Sequence, residues 1–446
     1  MTAMIKAIRG MKDILPPETD RWQRVESAAR ETFALYGYRE MRLPLLERTD
    51  LFARSIGVET DIVAKEMYTF PDRRGDSLTL RPEATASVLR AVLENGLHLG
   101  AGVKKFYLIG PMFRYERPQK GRYRQFNQVS CEALGSDAPE LDAEVIFLAM
   151  DVLKGLGLTK VRLLINSLGC RECQARFKES LKGYLAMRSG WCEDCDRRRQ
   201  ANPLRVFDCK SANCQELLVK APMMRDWLCE DCLTHYRRVK ELLERFQVDY
   251  EEQPRLVRGL DYYTRTAFEV VAQEGLGSQD AVLGGGRYNG LARDLGGPDL
   301  PGIGFAIGEE RLVEVLAGEA PPKTPFLVFI AALGPAARDR AIKLLRELRG
   351  RGVAAEMDFE DRSLKAQMSL ADRLGAAYVT IIGDKELGRG EALVRPMRDI
   401  SYKRVEKGDL TETKSGKLVA DQQSVSFEKL MEFMASEQVK FYQNPP

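Results

Sequence analysis

The sequence predicts an α+β domain with a mixed, mainly antiparallel sheet, followed by a smaller α/β domain. In the first part of the chain, strand-like segments at 103–109 and 125–134 flank a polar loop, and further strand-like segments follow at 264–271 and 302–307. After residue 325 the pattern changes, because apolar strands alternate there with helices of about 10–15 residues. That alternation is typical of a parallel α/β sheet.

The N-terminal elements are a helix and a strand. From Glu18 to Tyr36 apolar residues recur at steps of three and four, which predicts an amphipathic helix that stops at Gly37. The segment Glu40–Glu47 is predicted to be a strand. Its Pro44 suits an edge or a strand end, since proline cannot donate a ladder hydrogen bond.

Three prolines within 321–325 predict a linker between the two domains. The first domain is thus expected at 1–320 and the second at 326–446. In the second, we predict strands at 326–332, 353–358 and 378–382, and helices at 336–349 and 363–374.

Composition excludes several classes of protein. Apolar residues make up 44% and charged residues 30%, as in soluble globular proteins. The longest uncharged run, 324–337, is too short for a membrane span, and the N-terminus lacks a signal-peptide core, so we expect a cytoplasmic protein. Only two histidines are present, His98 and His235, which leaves little material for histidine-based catalysis.

A basic loop stands out, because the net charge of the whole chain is only +3. Between Phe113 and Phe126 there are five basic residues and a single acid, Glu116; the basic ones are Arg114, Arg117, Lys120, Arg122 and Arg124. Arginine guanidinium groups bind phosphate oxygens in a bidentate way, so the loop suits a polyphosphate or a nucleic acid. The alternative is a solvated basic hairpin.

The loop and its flanking strands resemble the second signature of class II aminoacyl-tRNA synthetases, in the form typical of the histidyl-tRNA synthetase family. Five other segments resemble that family's signatures in the family's order: Ile8–Pro16, Leu80–Thr85, Arg258–Arg265, Leu283–Leu291 and Gly302–Leu312. The resemblance extends to about residue 400. It implies a class II catalytic domain followed by an anticodon-binding α/β domain.

The resemblance also implies an activity. The family joins L-histidine to ATP, giving histidyl-adenylate and pyrophosphate, and then transfers histidine to the 3′ end of tRNA(His). The residues it assigns to catalysis are Arg258 and Arg114, and those it assigns to ATP are Arg114, Glu116 and Arg311, with Mg²⁺ bridging the phosphates. For Arg258 the alternative is a structural arginine paired with Asp261.

The same resemblance assigns the residues that hold histidine. An imidazole presents a donor and an acceptor, so a selective pocket needs a carboxylate and a hydroxyl group. These roles match Glu132 and Tyr263, with Tyr262 beside it. The α-amino and carboxylate groups of histidine are assigned to five further residues: Glu83, Ala84, Thr85, Gln128 and Arg258.

Eight of the nine cysteines form four closely spaced pairs within 63 residues. The pairs are Cys170/Cys173, Cys192/Cys195, Cys209/Cys214 and Cys229/Cys232. Four such pairs are enough for two tetrahedral structural zinc sites. The family's signatures do not require these cysteines, and redox pairs or tolerated thiols are the alternatives. They fall in a predicted helical insertion at about 168–250.

The resemblance implies partners as well. The helix after Glu18 and the strand with Pro44 are similar to the first class II signature, which builds a homodimer interface in the family. The alternative function is a non-catalytic, synthetase-like regulatory subunit of ATP phosphoribosyltransferase. That subunit typically lacks the C-terminal domain and catalytic residues, whereas this chain keeps Arg114, Arg258 and Arg311.

Overall fold

The computed structural model describes residues 4–57, 60–118, 121–273, 281–317, 326–397, 410–412, 418–420 and 422–443. Contacts divide the chain into two compact units, Met1–Pro321 and Pro322–Pro446. The predicted linker at 321–325 lies outside the described residues. None of the described helices combines the length and the apolar character that a membrane span requires.

The first unit contains ten α-helices and eleven strands among its described residues. The helices are α1 (Glu18–Leu35), α2 (Thr49–Ile56), α3 (Thr85–Glu94), α4 (Pro139–Gly155), α5 (Arg171–Ala186), α6 (Glu193–Ala201), α7 (Ala212–Leu217), α8 (Glu230–Arg245), α9 (Leu291–Asp294) and α10 (Glu309–Leu316). The strands are β1 (Arg39–Glu40), β2 (Leu46–Arg48), β3 (Tyr68–Pro71), β4 (Ser77–Leu80), β5 (Lys104–Phe113), β6 (Gln125–Leu134), β7 (Val161–Ser167), β8 (Glu251–Glu252), β9 (Thr264–Ala272), β10 (Ala281–Arg287) and β11 (Gly302–Gly308). One π-helical turn (Ile62–Glu66) and two 3-10 turns (Pro203–Asp208, Met224–Trp227) complete it.

Eight strands form the main sheet, in the order β1-β5-β6-β11-β10-β9-β7-β8. The six inner strands are antiparallel to one another, and each short edge strand, β1 or β8, is parallel to the inner strand beside it. The predicted mixed, mainly antiparallel sheet is therefore confirmed. A separate antiparallel sheet has the order β2-β4-β3.

Helices α1 and α4 cover one face of the main sheet. The apolar residues of α1 recur at helical spacing, and Trp22, Val25, Ala29 and Phe33 are buried against α4 and the sheet. Burial of this stripe stabilises the helix, since most helical stability in proteins comes from packing of an amphipathic face. The opposite face of the sheet remains available for the candidate site.

The segment Glu40–Glu47 is not the single strand that the sequence predicts. Its ends belong to different sheets, because β1 pairs with β5 whereas β2 pairs with β4. Between them lies Pro44, which has no N–H to donate, so the chain leaves one sheet there and enters the other.

The second unit is an α/β fold. Its elements are β12 (Leu327–Ala332), α11 (Pro335–Gly350), β13 (Ala354–Met357), α12 (Leu364–Arg373), β14 (Tyr378–Ile382), α13 (Asp384–Arg389), β15 (Glu391–Pro396), β16 (Leu410–Glu412), β17 (Leu418–Ala420), β18 (Gln423–Ser426) and α14 (Phe427–Gln443). The sheet order is β13-β12-β14-β15-β18. The first three strands are parallel, as predicted, and the last two are antiparallel additions.

Candidate active site

The site lies on the uncovered face of the main sheet. Strand β6 alternates, since Val129, Cys131 and Ala133 enter the core under the helices while Gln128, Ser130 and Glu132 have the opposite orientation. This face forms the floor of a cavity of about 260 Å³. Ten of the sequence-predicted residues line it: Glu83, Ala84, Thr85, Arg114, Glu116, Gln128, Arg258, Tyr262, Tyr263 and Arg311.

One end of the cavity carries a buried carboxylate at the start of helix α3. Glu83 Oε2 accepts a hydrogen bond from the backbone N–H of Thr85 (2.7 Å), and Oε1 accepts one from Ala86 (2.9 Å). Burial raises the pKa of Glu83, and these two hydrogen bonds partly oppose that rise. The hydroxyl of Tyr262 donates to Glu83 over 3.4 Å, so the carboxylate and the tyrosine share one wall.

Glu132 lies behind that wall and does not itself line the cavity. Thr85 Oγ1 donates to Glu132 Oε1 over 2.6 Å, and the hydroxyl of Tyr288 donates to Glu132 Oε2. Burial raises the pKa of Glu132 to about 8, although both hydrogen bonds act in the other direction. Glu132 is thus a carboxyl group held between two hydroxyl donors.

The cavity is also rich in arginine, since Arg114, Arg122, Arg258 and Arg311 line it. Arg114 follows β5, and its Nε donates to the carbonyl of Pro82 over 2.9 Å. Burial lowers the pKa of Arg114, which is the electrostatic cost of a cation that has lost its water. Arg311 in α10 donates to the carbonyl of Ala281 over 2.9 Å. Glu116 is buried and forms an ion pair with Arg122.

Arg258 also lines the cavity. Its Nη1 forms an ion pair with Glu269 Oε2 at 2.6 Å, so the sequence-based alternative pairing with Asp261 does not describe it. Asp261 instead accepts a hydrogen bond from Asn202 (2.7 Å). The guanidinium packs against Gly284, where a β-carbon would overlap it. A β-carbon at 284 would therefore have to displace the guanidinium of Arg258.

Four cavity-lining residues of the described chain each have a buried polar atom without a hydrogen-bond partner, namely Glu116, Gln128, Ser130 and Arg258, although the Glu116 atom forms the ion pair with Arg122. Among the described residues, neither Gln128 Oε1 nor Arg258 Nε has a hydrogen-bond partner. Buried polar groups are rarely left unpaired, because that costs roughly 1–3 kcal/mol. An acceptor and a cationic donor on the walls of one cavity match the ammonium and carboxylate groups of an α-amino acid.

The eight paired cysteines form two clusters in the segment between β7 and β8. Cluster A consists of Cys170, Cys173, Cys229 and Cys232; cluster B consists of Cys192, Cys195, Cys209 and Cys214. Within each cluster the sulfur atoms all lie within 4.8 Å of one another. In cluster A one Sγ–Sγ distance is 3.5 Å, and in cluster B one is 3.7 Å. Tetrahedral ligands at the Zn–S bond length are roughly 3.8 Å apart.

A buried ionic network lies beside the site and was not predicted from the sequence. Arg287 is fully buried and pairs with Asp142. His235 Nε2 lies 2.8 Å from Asp142, and its Nδ1 lies 3.2 Å from the guanidinium of Arg265. Since Arg265 can only donate, Nδ1 accepts and the ring proton is on Nε2. Burial would raise the pKa of Asp142, but the hydrogen bond from His235 and the charge of Arg287 leave it lowered.

Two residues that contact predicted site residues were also missed. Tyr288 holds Glu132, and Glu269 pairs with Arg258. Tyr288 lies within Leu283–Leu291, a segment that resembles a family signature, so its position carried a signal. Glu269 carried none, because nothing in the sequence says which strand faces Arg258.

Comparisons with known proteins agree with this arrangement. Residues 10–172 and 204–312 match the family model for histidyl-tRNA synthetase. Residues 327–417 match the model for an anticodon-binding domain. The gap in the first match, residues 173–203, falls within the cysteine-bearing segment and contains Cys173 of cluster A with Cys192 and Cys195 of cluster B.

Individual relatives extend the likeness over most of the chain. A histidine–tRNA ligase from Desulfosudis oleivorans is 50% identical over 91% of this chain and 97% of its own length. The structure of apo Staphylococcus aureus histidyl-tRNA synthetase is 36% identical, with a TM-score of 0.77, and the match covers 97% of this chain and all of that one. An ATP phosphoribosyltransferase regulatory subunit/histidyl-tRNA synthetase from Bacillus halodurans C shares the fold at 21% identity, with a TM-score of 0.63 over 86% of this chain and 99% of its own. The chain belongs to the histidyl-tRNA synthetase family.

Proposed function

We propose that the chain is a histidine–tRNA ligase, which activates L-histidine with ATP and then transfers histidine to the 3′ end of tRNA(His). The observation that carries the proposal is one cavity lined by two unlike sets of groups. The buried Glu83 with Tyr262 and Tyr263 line it together with the arginines Arg114, Arg258 and Arg311. An amino acid and a nucleotide triphosphate need such a pair of subsites side by side.

Activation requires charge stabilisation and alignment rather than a protein base. The carboxylate oxygen of histidine, already ionised at pH 7, attacks the α-phosphorus of ATP, and the bond to the β-phosphate breaks as pyrophosphate leaves. Arg114 and Arg258 stabilise the charge that develops on the α-phosphate, and Arg311 holds the far phosphates. Glu116 lies towards the adenine. ATP enters with Mg²⁺, for which the cavity-wall carboxylate Glu310 is a suitable oxygen ligand.

The carboxyl end of the cavity recognises histidine. Glu83, Thr85 and Gln128 Oε1 hold the α-ammonium group, and Arg258 Nε holds the carboxylate; neither Gln128 Oε1 nor Arg258 Nε has a hydrogen-bond partner among the described residues. Tyr263, with Tyr262 and Ala84 beside it, and Glu132 read the two imidazole nitrogens. Glu132 lies behind the cavity wall, so the imidazole reaches it by taking the place of the Thr85 hydroxyl as its hydrogen-bond donor. Such a pocket can reject apolar amino acids by roughly 10⁴-fold, because its own polar groups would stay unpaired.

The second unit supplies the tRNA contact. Its match to an anticodon-binding domain supports tRNA(His) as the partner. We place the domain boundary at the 321–325 linker, with the catalytic domain at 1–320 and the anticodon-binding domain at 326–446. We further propose a homodimer, built through α1 and the segment around Pro44, acting in the cytoplasm.

Clusters A and B are proposed as two structural zinc sites. Their donors fit the metal, because four sulfurs at near-tetrahedral spacing are typical of closed Cys₄ sites. Backbone N–H groups of Cys170 and Cys229 donate to sulfurs of cluster A over 3.2 and 3.1 Å, as they do to metal-bound thiolates. Zinc would supply cross-links between distant segments there, with no part in the reaction.

The regulatory-subunit alternative is not favoured by any observation. Arg114, Arg258 and Arg311 share one cavity in this chain, and an anticodon-binding domain follows. Neither feature has a use in a protein that only binds histidine as a signal.

The decisive experiment is ATP–pyrophosphate exchange without tRNA, run separately with each of the twenty amino acids. Exchange with histidine alone is expected. Folded protein that binds histidine but exchanges with no amino acid would instead support the regulatory subunit. Charging of tRNA(His) with labelled histidine then tests the transfer step.

A further inference from the structure

The wall of the cavity that carries Arg258, Tyr262 and Tyr263 has no regular structure of its own. Residues 253–263 are turns and irregular backbone. Activation needs reacting groups placed to within about 1 Å, and irregular backbone does not provide that without support. Something outside the segment must therefore hold it.

The support comes from the region around cluster B. Asn202 Nδ2 donates to Asp261 Oδ1 over 2.7 Å, and Arg205 Nη1 donates to the carbonyl of Gly259 over 3.2 Å. Both residues lie on the stretch of chain between Cys195 and Cys209. Arg255 donates to Gln215 Oε1 (3.0 Å) and to the carbonyl of Leu218 (3.1 Å), just after Cys214. Four hydrogen bonds thus join cluster B's surroundings to residues 255–261.

Cluster A holds the other end of the same segment. Gln174, the residue after Cys173, donates through Nε2 to the carbonyl of Tyr263 over 2.8 Å. Next to it, the N–H of Arg265 donates to the carbonyl of Gly169 over 2.7 Å. Gly169 immediately precedes Cys170. Residues next to two cysteines of cluster A therefore form the hydrogen bonds that hold the end of the cavity wall.

These supports depend on the cysteines for their own order. Helices α6 and α7 have 9 and 6 residues, too short to be stable in isolation. The cysteines lie inside the core that these helices share, where Cys173, Cys195, Cys209, Cys214 and Cys232 are buried among apolar side chains such as Phe177, Trp191 and Val206. A metal bound by the four cysteines would cross-link these short helices and fix their geometry.

We propose that the two cysteine clusters, each holding zinc, position the segment 255–263, so that histidine recognition depends on a metal that never touches the substrate. Asn202 and Gln174 are positioning residues in this scheme. The inference rests on the proposed function, because it assigns the histidine end of the cavity to this segment.

The test compares two asparagines of the same module. Asn202→Ala removes the hydrogen bond to Asp261, whereas Asn213→Ala removes one to the carbonyl of Gly190, within the insertion. In the full chain, Asn202→Ala is expected to raise the KM for histidine about five- to tenfold, with the KM for ATP within twofold of wild type. Asn213→Ala should leave both values unchanged, and both variants should keep the wild-type zinc content.

Gln174→Ala extends the test to cluster A, with the same expected pattern. Similar behaviour of the Asn202 and Asn213 variants, or an equal rise in both KM values, would overturn the positioning role. Wild-type exchange tests the proposed function separately, so a failure of one is not confused with a failure of the other.

A second arm addresses the metal without using activity. Zinc is removed with a strong chelator, magnesium is restored, and histidine binding is followed by calorimetry while zinc is counted by mass spectrometry. Affinity for histidine should fall at least fivefold and return when zinc is added back. Unchanged affinity in the zinc-free chain, or a wild-type chain without zinc, would overturn the proposal.

Discussion

The guanidinium group of Arg258 packs against the backbone of Gly284, with no space for a β-carbon between them. The ion pair with Glu269 fixes the guanidinium from the other side. A strand residue on β10 and a strand residue on β9 thus set the position of a side chain that comes from an irregular segment.

Gly284→Ala should displace Arg258 and lower kcat/KM for histidine-dependent exchange by roughly 100-fold, since a shift of about 1 Å in a reacting site can cost that much. Gly183→Ala is the matched control, because Gly183 lies on α5 with open space around it. That variant should keep full activity. Near-normal exchange in Gly284→Ala would show that Arg258 does not need its present position.

Glu132→Gln should weaken histidine binding while leaving ATP binding intact, because Glu132 lies behind the cavity wall and is hydrogen-bonded to Thr85 and Tyr288, on the side proposed for histidine. The expected rise in KM for histidine is at least tenfold. The measurement is exchange at varied histidine and then at varied ATP. Glu140→Gln, on the surface of α4, serves as the control. An equal loss of both ligands would mean that the imidazole site lies elsewhere.

The raised pKa of Glu132 also predicts a pH dependence of stability. With a folded pKa of about 8 and an unfolded value near 4.5, the folded state binds the extra proton between those pH values. Stability contributed by this group is therefore full below about pH 4.5 and is lost as pH rises towards 8, by at most about 1.4 kcal/mol per pH unit.

Glu132→Gln removes that loss. The free energy of unfolding of the variant relative to wild type should rise steadily from pH 5.5 to 8, whatever its sign at the start. Urea unfolding followed by tryptophan fluorescence measures it, since Trp22, Trp191 and Trp227 all lie in the first unit. A difference that does not change with pH would contradict the prediction.

Asp142→Asn should destabilise the first unit by about 3–5 kcal/mol, because Arg287 would remain as a buried charge without its partner. Asp299→Asn provides the comparison. Asp299 pairs with Arg293 at the surface, where both side chains are more than 60% exposed, and it should cost less than about 1 kcal/mol. Tryptophan fluorescence in urea again reports the unfolding. Equal effects of the two variants would argue against a stabilising buried pair.

The cysteine clusters predict a metal count. Mass spectrometry of wild-type protein should find two zinc ions per chain, and Cys195→Ser should retain only the ion of cluster A. Cys131→Ala should still hold two, because Cys131 lies in the sheet and belongs to neither cluster. Loss of zinc from the Cys131 variant, or none lost from the Cys195 variant, would disprove this assignment.

The sequence determined much of this protein by local pattern. The spacing of apolar residues predicted α1 to within one residue, and the strands on either side of the basic loop became β5 and β6. Strand β5 continues to Phe113, beyond its predicted end at 109, so Arg114 follows the strand directly. The resemblance of short segments to family signatures was enough to identify ten residues that line one cavity.

The tertiary structure alone decided which groups meet. The sequence offered Asp261 as the partner of Arg258, but residues on one irregular segment do not have to face each other, and Glu269 across the cavity took that place. The spacing of the cysteines showed four pairs. It did not show that the first and last pairs form cluster A while the two middle pairs form cluster B. Such choices depend on contacts between residues far apart in the chain, and the packing of whole elements against one another determines them.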